Sequence, residues 1–243
     1  MTSTSRSTRR RDIVLLAIAV VVAAVLVGAL VLGTTGGDEQ SEAASPAAGS
    51  SSVSGPPVMG PLGDLAHREP DDPMALGDVD APVVMIAFSD FRCPFCAQFS
   101  RETEPQLIDR YVDTGTLRIE WRDLPIFGQQ SFDAARAGRA AAAQGKFWEF
   151  TRAVYADAPE TGHADLTLEA LQSYAQQAGV PDLARFTADA TGTAFDAAIT
   201  ADSTEAQSLG IPATPAFSVN GDPVLGAQPF SEFVDLIDTA AGA

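Results

Sequence analysis

The hydrophobic pattern of the chain begins with an uncharged apolar run over residues 13–32. At about 1.5 Å per residue, a helix of this length crosses a hydrocarbon layer of roughly 30 Å. Four arginines precede the run, which places the N-terminus in the cytoplasm by the positive-inside bias. We therefore expect a cytoplasmic basic segment over residues 1–12 and a single transmembrane signal-anchor over residues 13–33. A cleaved signal peptide is the alternative, but its apolar core would run only about 7 to 15 residues.

The hydrophobic pattern then stops for about forty residues. Residues 34–73 are rich in Gly, Ser, Ala, Pro and acidic side chains, which bury too little apolar surface to offset the entropy lost on ordering. We predict a disordered linker here. It would hold a folded domain near the extracytoplasmic side of the cell membrane.

Strand and helix patterns follow over residues 74–243. Residues 83–88 form a short β-branched apolar run, typical of a strand buried on both faces. Residues 96–112 show helical spacing, interrupted at Pro105, where the helix should kink or restart. Residues 116–121 alternate between apolar and polar side chains, as in a second strand. The first half of the domain is therefore predicted to be strand, helix, strand.

The second half begins with a block of helices and ends on a hairpin. Residues 131–209 carry successive helical segments separated by Gly and Pro. Two short apolar segments, 216–219 and 223–225, flank the turn sequence Asn-Gly-Asp at 220–222, and residues 229–241 close the chain with a helix. This order predicts one α/β domain with an all-helical insertion.

Composition narrows the function classes. The chain has 32 Asp and Glu against 15 Lys and Arg, a formal net charge of −17. A general nucleic-acid binder needs a basic surface, so no nucleic acid is expected as a partner.

The chemistry of the chain is concentrated in two cysteines, Cys93 and Cys96, in the sequence FRCPFC. A metal site would need two more soft ligands, and the histidines His67 and His163 are remote in sequence, so we expect no metal and no other cofactor. An inert disulfide is the second alternative. It would close only a very short loop and constrain the unfolded chain little.

The motif lies where the first strand gives way to the first helix, which predicts different roles for the two thiols. Cys93 would lie at the helix N-terminus, where backbone N–H groups and the helix dipole stabilise a thiolate. We expect Cys93 to be the exposed nucleophile and Cys96 the buried resolving thiol. Arg92 either adds positive potential at this thiolate or is only solvated. Pro94 and Phe95, between the cysteines, are expected to help set the redox potential.

The chain resembles the DsbA-like branch of the thioredoxin superfamily. The resemblance is carried by LGDVDAPVVMIAFSDFRCPFCAQF around the cysteines, by GKFWEF in the helical block and by LGIPATPAFSVNG near the C-terminus. It covers residues 74–243. It implies a thioredoxin-like fold with a helical insertion, preceded here by the transmembrane helix.

The resemblance also implies roles for Thr214 and Pro215. Pro215 would be a cis proline lying against the cysteine pair, and Thr214 would present its backbone to an extended substrate segment. The chain departs from the family in two places. Phe95 occupies the position of a histidine that the best-known DsbA proteins carry between the cysteines. Ala87 occupies the position at which many members carry a buried acid. Proton transfer at Cys96 must therefore use water or another group; Asp90 is the nearest carboxylate, and capping of the helix is the alternative role for it.

Three functions remain open at this point. The first is a membrane-anchored thiol:disulfide oxidase that donates the Cys93–Cys96 disulfide to reduced or unfolded exported proteins. By resemblance, a quinone-linked membrane protein of the DsbB or vitamin K epoxide reductase-like type would reoxidise it. The second is an isomerase or reductase using the same site. The third is a chaperone-like binding module whose helical block holds unfolded chains and whose disulfide is incidental. Independently of these alternatives, Phe91, Phe95 and Phe127 are expected to line an apolar groove for unfolded substrates.

Overall fold

A computed structural model describes residues 58–242 of the protein. The predicted basic segment and signal-anchor, residues 1–33, lie outside the described residues, as does most of the predicted linker. Within residues 58–242, no helix is both long enough and apolar enough to span a membrane.

Five strands form one mixed sheet, in the order β1-β3-β2-β4-β5. They are β1 (Ala75–Leu76), β2 (Val83–Ser89), β3 (Leu117–Asp123), β4 (Ala216–Val219) and β5 (Asp222–Leu225). β2 and β3 run parallel, joined by a helical crossover, and the other pairs are antiparallel. Every residue of the central strand β2 is buried, as its continuous apolar sequence predicts.

The crossover consists of α1 (Pro94–Glu102), α2 (Glu104–Leu107) and a π-helical turn (Ile108–Val112). The restart at Glu104 confirms the interruption predicted at Pro105, whose ring and missing N–H cannot continue a regular helix.

The helical insertion predicted over residues 131–209 is confirmed. It comprises five helices, which lie between β3 and β4: α3 (Gln129–Ala142), α4 (Phe147–Ala156), α5 (Leu168–Gln177), α6 (Leu183–Thr191) and α7 (Asp196–Ser208). The final helix α8 (Phe230–Ala240) follows the β4–β5 hairpin, also as predicted.

The main core lies between the sheet and the helical insertion, and Phe91 is part of it. The Phe91 ring lies 5.1 Å from Trp121, 5.7 Å from Phe150 and 5.8 Å from Tyr155, measured between centroids. A Cβ at Gly138 would come within 2.8 Å of the Phe91 ring, so α3 needs a glycine at this contact. The prediction that Phe91 lines an open groove is therefore wrong, because the insertion packs against it.

The opposite face of β3 buries charged side chains. Glu120 is fully buried, and its carboxylate accepts hydrogen bonds from the guanidinium groups of Arg118, at 2.9 Å, and Arg122, at 3.0 Å. The backbone N–H groups of His67 and Arg68 donate to the same carboxylate, at 3.0 and 2.9 Å. The four donors satisfy a charge that would otherwise be costly to bury.

These contacts correct one predicted boundary. The predicted linker extends to residue 73, but residues 58–73 lie on the domain. The Gly60 N–H donates to the carbonyl of Asn220 in the β4–β5 turn, at 2.8 Å. Leu65 packs against a second, smaller hydrophobic cluster, which buried side chains of β2, β4 and α7 form together with Leu124. Composition does not reveal this, because the segment is held by individual polar contacts and not by a continuous apolar pattern.

Candidate active site

The two cysteines lie where β2 passes into α1. Cys93 is the N-cap of α1, with extended backbone angles of φ −76° and ψ 119°, and Pro94 follows in the first turn. Proline suits this position because its missing N–H would have no partner within the helix. One turn inside, Cys96 belongs to the buried face of α1. The predicted arrangement of the motif on strand and helix is confirmed.

The turn before Cys93 is fixed by Asp90, which is 2% exposed. Its carboxylate accepts the backbone N–H of Arg92 at 2.8 Å, of Ile126 at 2.7 Å and of Phe127 at 3.2 Å. Burial raises the pKa of Asp90, and these hydrogen bonds oppose the rise. Its carboxylate therefore holds two loops together at the start of α1.

Both cysteines are free thiols, and both are buried: Cys93 is 1% exposed and Cys96 is 2% exposed. The exposure expected for Cys93 is therefore wrong for this state of the protein. The Cys93 thiol donates a hydrogen bond to the carbonyl of Thr214, 3.2 Å away, which helps to cover its sulfur.

The surroundings of the two thiols push their pKa values apart. A hydrogen bond from the Cys96 thiol lowers the pKa of Cys93 from 9.0 to about 6; burial opposes this, and the backbone N–H groups of Cys96 and Phe95 assist it. Burial, followed by the effect of Cys93, raises the pKa of Cys96 well above its ordinary value. Cys93 is therefore the thiol of the pair that ionises first, and Cys96 is the one that keeps its proton.

Thr214 and Pro215 immediately precede β4, and Thr214 lies beside Cys93. The Thr214–Pro215 peptide bond is cis, and the contact between Thr214 and Cys93 brings together residues 121 positions apart in sequence. The structure thus has the cis peptide bond expected at Pro215 and places the Thr214 carbonyl beside Cys93. That Thr214 binds a substrate backbone stays a prediction.

Arg92 has partners that the sequence did not reveal. Its guanidinium donates to the carbonyl of Ala164 at 2.8 Å and to the carbonyl of Phe127. His163 stacks on Phe127 with centroids 4.1 Å apart, and its Nδ1 lies 3.3 Å from the Arg92 carbonyl oxygen. Arg92, the residue directly before Cys93, thus holds the loops that contain Phe127 and Ala164 beside the motif. Its predicted effect on the Cys93 thiolate stays a prediction.

Phe95 lies differently from the other aromatic residues near the motif. Its side chain is 58% exposed, on the surface that α1 presents beside Cys93, and Ile126 in the neighbouring loop is 43% exposed. Of the three phenylalanines expected to line a groove, Phe91 is buried and Phe127 is half-buried, which leaves Phe95 as the accessible ring.

Comparison with known proteins agrees with the thioredoxin-like fold and the paired cysteines described above. A family model described as Thioredoxin matches residues 69–239, well over half of the chain. The chain belongs to this thioredoxin family. The match begins before residue 74, in agreement with the earlier domain start seen in the structure.

Relatives and solved structures place the chain within the superfamily. It is 30% identical to the "Probable disulfide bond formation protein D" of Bacillus cereus over 152 residues, covering 61% of this chain and 70% of that protein. Crystal structures of BdbD from Bacillus subtilis (TM-score 0.66, 23% identity, 70% of this chain and 93% of BdbD) and of α-DsbA1 from Wolbachia pipientis (TM-score 0.61, 26% identity, 70% and 90%) share its fold. The chain is a DsbA-like member of the thiol:disulfide oxidoreductases.

A second group of relatives carries another name. The chain is 33% identical over 161 residues to the Na(+)/H(+) antiporter NhaA 1 of Mycolicibacterium vanbaalenii, covering 65% of this chain. It spans only about a quarter of the length of that relative (25%), so the similarity concerns one part of the antiporter protein.

Proposed function

We propose that the protein is a thiol:disulfide oxidase that donates the Cys93–Cys96 disulfide to reduced exported proteins. The observation that carries this proposal is the asymmetry of the pair: Cys93 lies at the N-cap of α1, where its pKa is lowered to about 6, and Cys96 lies one turn inside on the buried face, where its pKa is raised. A stabilised thiolate favours the reduced form of the protein, which makes its disulfide a better oxidant.

The proposed reaction starts from the oxidised pair. A substrate thiolate attacks Cys93 Sγ, the Cys93–Cys96 bond breaks, and its electron pair passes to Cys96 Sγ, which takes up a proton. A second substrate thiolate then attacks the substrate sulfur of this mixed disulfide and releases Cys93 as a thiolate. Two substrate thiols become a disulfide, and the two cysteines become reduced. Cys93 departs readily because thiols of low pKa are better leaving groups.

Substrate binding is proposed for the surface around Cys93. The exposed Phe95 offers apolar contact, and the backbone of Thr214 offers hydrogen bonds to an extended segment, a mode of binding with little sequence preference. Because Cys93 is 1% exposed, a substrate must displace the residues that cover Cys93 Sγ before it can reach this sulfur.

The location and the partners of this activity are part of the proposal. The apolar run at residues 13–32 supports a single-pass membrane anchor with the domain outside the cytoplasm, where disulfides persist. The oxidised pair must be regenerated after each turnover. A quinone-linked membrane protein of the DsbB or vitamin K epoxide reductase-like type is the proposed oxidant.

The test uses the full chain in its oxidised form, mixed with a reduced, unfolded substrate protein that contains several cysteines. Formation of disulfides in this substrate, with equal loss of the Cys93–Cys96 disulfide, is the expected result. The same chain in its reduced form is the matched control and should form none. Cys93→Ser and Cys96→Ser should each abolish the reaction.

The same experiment separates the alternatives. A reductase or isomerase would leave the reduced substrate protein reduced and would instead open or rearrange the disulfides of its oxidised form. A chaperone-like module would suppress aggregation equally well with Cys93→Ser. Retention of oxidase activity by either serine variant would refute dithiol chemistry.

A further inference from the structure

A small cavity lies directly beneath Cys96, in the core between α1, the sheet and α4. Its volume is about 20 Å³, enough for one water molecule, and every residue that lines it is less than a tenth exposed. Most of the lining is apolar. The polar side chains among the lining residues include those of Cys96, Ser100, Glu104 and Tyr155.

Glu104 is the unusual member of this set. Its side chain comes from the first residue of α2 and is 4% exposed. One carboxyl oxygen, Oε2, accepts a hydrogen bond from Ser100 at 2.7 Å, whereas Oε1 is buried with no hydrogen-bond partner in residues 58–242. A half-satisfied buried carboxyl destabilises the fold, so a purely structural role does not account for it.

We propose that Glu104 exchanges a proton with Cys96 through a water molecule held in this cavity. This inference deepens the proposed function and rests on it, since a proton must reach or leave Cys96 each time the disulfide opens or closes. Many family members carry a buried acid at the position where this chain has Ala87, on β2. Glu104, from α2, would perform the function of that acid. Ala87 lines the same cavity.

The proton balance is the same in both directions. When a substrate thiolate attacks Cys93, the Cys93–Cys96 bond breaks and its electron pair goes to Cys96 Sγ. The carboxyl of Glu104 gives its proton to the water, and the water gives one to Cys96. In the reverse step Cys96 attacks the mixed disulfide on Cys93, and its proton returns through the water to the Glu104 carboxylate. No further oxidant or reductant is needed.

The charges around Glu104 suit this exchange. Burial raises the pKa of Glu104 towards neutral pH. The Ser100 hydrogen bond and the charge of Arg152 oppose this rise. Tyr155 faces the same cavity from α4, but burial raises its pKa well above the ordinary value, so it stays protonated.

Asp90 is the other carboxyl near the cysteines, and its geometry does not suit this task. Its two oxygens already accept three backbone N–H groups, and it is absent from the lining of the cavity. The role that the sequence suggested for Asp90, as the nearest carboxylate, therefore passes to Glu104.

The test follows the reaction of the reduced full chain with 5,5′-dithiobis(2-nitrobenzoate), which reports the two cysteines separately. Attack by Cys93 releases the first equivalent of coloured thiolate and forms a mixed disulfide. Attack by Cys96 on that disulfide then releases the second equivalent. With Glu104→Gln, the first phase should be unchanged, and the second phase should slow at least tenfold at neutral pH, since a positioned acid or base typically contributes about 10²-fold or more.

Two controls accompany this variant. Glu102→Gln removes the same charge from an exposed position two residues away and should leave both phases unchanged. Glu104→Asp keeps the acid and should retain most of the second-phase rate. The pH profile is a further readout: the second phase of the natural chain should level off as Glu104 ionises, whereas that of Glu104→Gln should keep rising with hydroxide concentration.

The outcomes are separable. A second phase with unchanged rate and pH profile in Glu104→Gln overturns the role of Glu104 and leaves the proposed function intact. A natural chain that releases no second equivalent refutes the dithiol chemistry itself. If Glu104→Gln does not fold, the natural chain still decides, because a second phase strictly proportional to hydroxide concentration contradicts the proposal.

Discussion

The hydrogen bond between the two thiols should control the acidity of Cys93, and Cys96→Ala tests this directly. The pKa of Cys93 is lowered from 9.0 to about 6, and the largest contribution comes from the Cys96 thiol. Cys96→Ala removes that donor, whereas Cys96→Ser keeps a hydroxyl donor in nearly the same place. The two variants therefore differ in one hydrogen bond to the thiolate.

The size of the effect follows from the energies of such bonds. Lowering the pKa by about 3 corresponds to about 4 kcal/mol, at 1.36 kcal/mol for each pKa unit. A hydrogen bond to a charged group contributes about 1.5 to 3 kcal/mol, which equals about 1 to 2 pKa units. Cys93 should therefore titrate between about 7 and 8 in Cys96→Ala and should stay near 6 in Cys96→Ser.

The assay is the rate of alkylation of Cys93 by iodoacetamide as a function of pH, with the ultraviolet absorbance of the thiolate as a second readout. Each variant has a single thiol, so the titration belongs to Cys93 alone. Equal midpoints for the alanine and serine variants would refute the reasoning, because the backbone N–H groups of the helix would then be sufficient to stabilise the thiolate.

Two further predictions concern charged side chains outside the cysteine pair. Arg92→Gln should lower the stability of the protein by about 1 to 3 kcal/mol in urea unfolding, because the Arg92 guanidinium holds the carbonyls of Ala164 and Phe127. Glu120→Gln should cost about 3 to 5 kcal/mol in urea unfolding, since it leaves the buried Arg118 without its acidic partner and Arg122 with only Glu205, 3.5 Å away, whereas Glu232→Gln on the exposed surface of α8 should cost little. Burial alone would raise the pKa of Glu120, but its hydrogen bonds lower it to about 2, so its stabilising contribution is complete above the ordinary value of 4.5 and is lost as the pH falls towards 2; a Glu120→Gln variant that kept the acid sensitivity of the natural chain would contradict this.

The parts of the fold that could be predicted from the sequence are those written in contiguous residues. A continuous apolar run fixes β2, Pro105 interrupts the helix that follows, and the FRCPFC motif lies between strand and helix. The pairing of Cys93 with Thr214 lies beyond such local patterns, since 121 residues separate them. It was predictable only because the motifs on both sides resemble one family.

The residues that sequence reasoning missed lie in contacts between distant parts of the chain. Glu104 has no signal of burial in its neighbours, and its place beside Cys96 depends on how α2 restarts after α1. Glu120 alternates with apolar residues along β3, a pattern that indicates a solvent-facing side chain, yet residues 67 and 68 cover it. A polar face of a strand does not reveal which segment packs on it.

The order of events at the cysteine pair follows from position and not from exposure, since both sulfurs are buried. Cys93, at the open end of α1, meets backbone N–H groups and the Cys96 thiol, all of which favour its charged form. Cys96, one turn further in, meets the core, which penalises charge. When a substrate thiolate opens the disulfide, the electron pair passes to Cys96, and because the core penalises charge there a proton must enter at Cys96; negative charge rests on Cys93 only after the mixed disulfide is resolved. The site thus needs access for a substrate at one sulfur and a route for a proton at the other, and the surface beside Phe95 and the cavity beside Glu104 lie at those two positions.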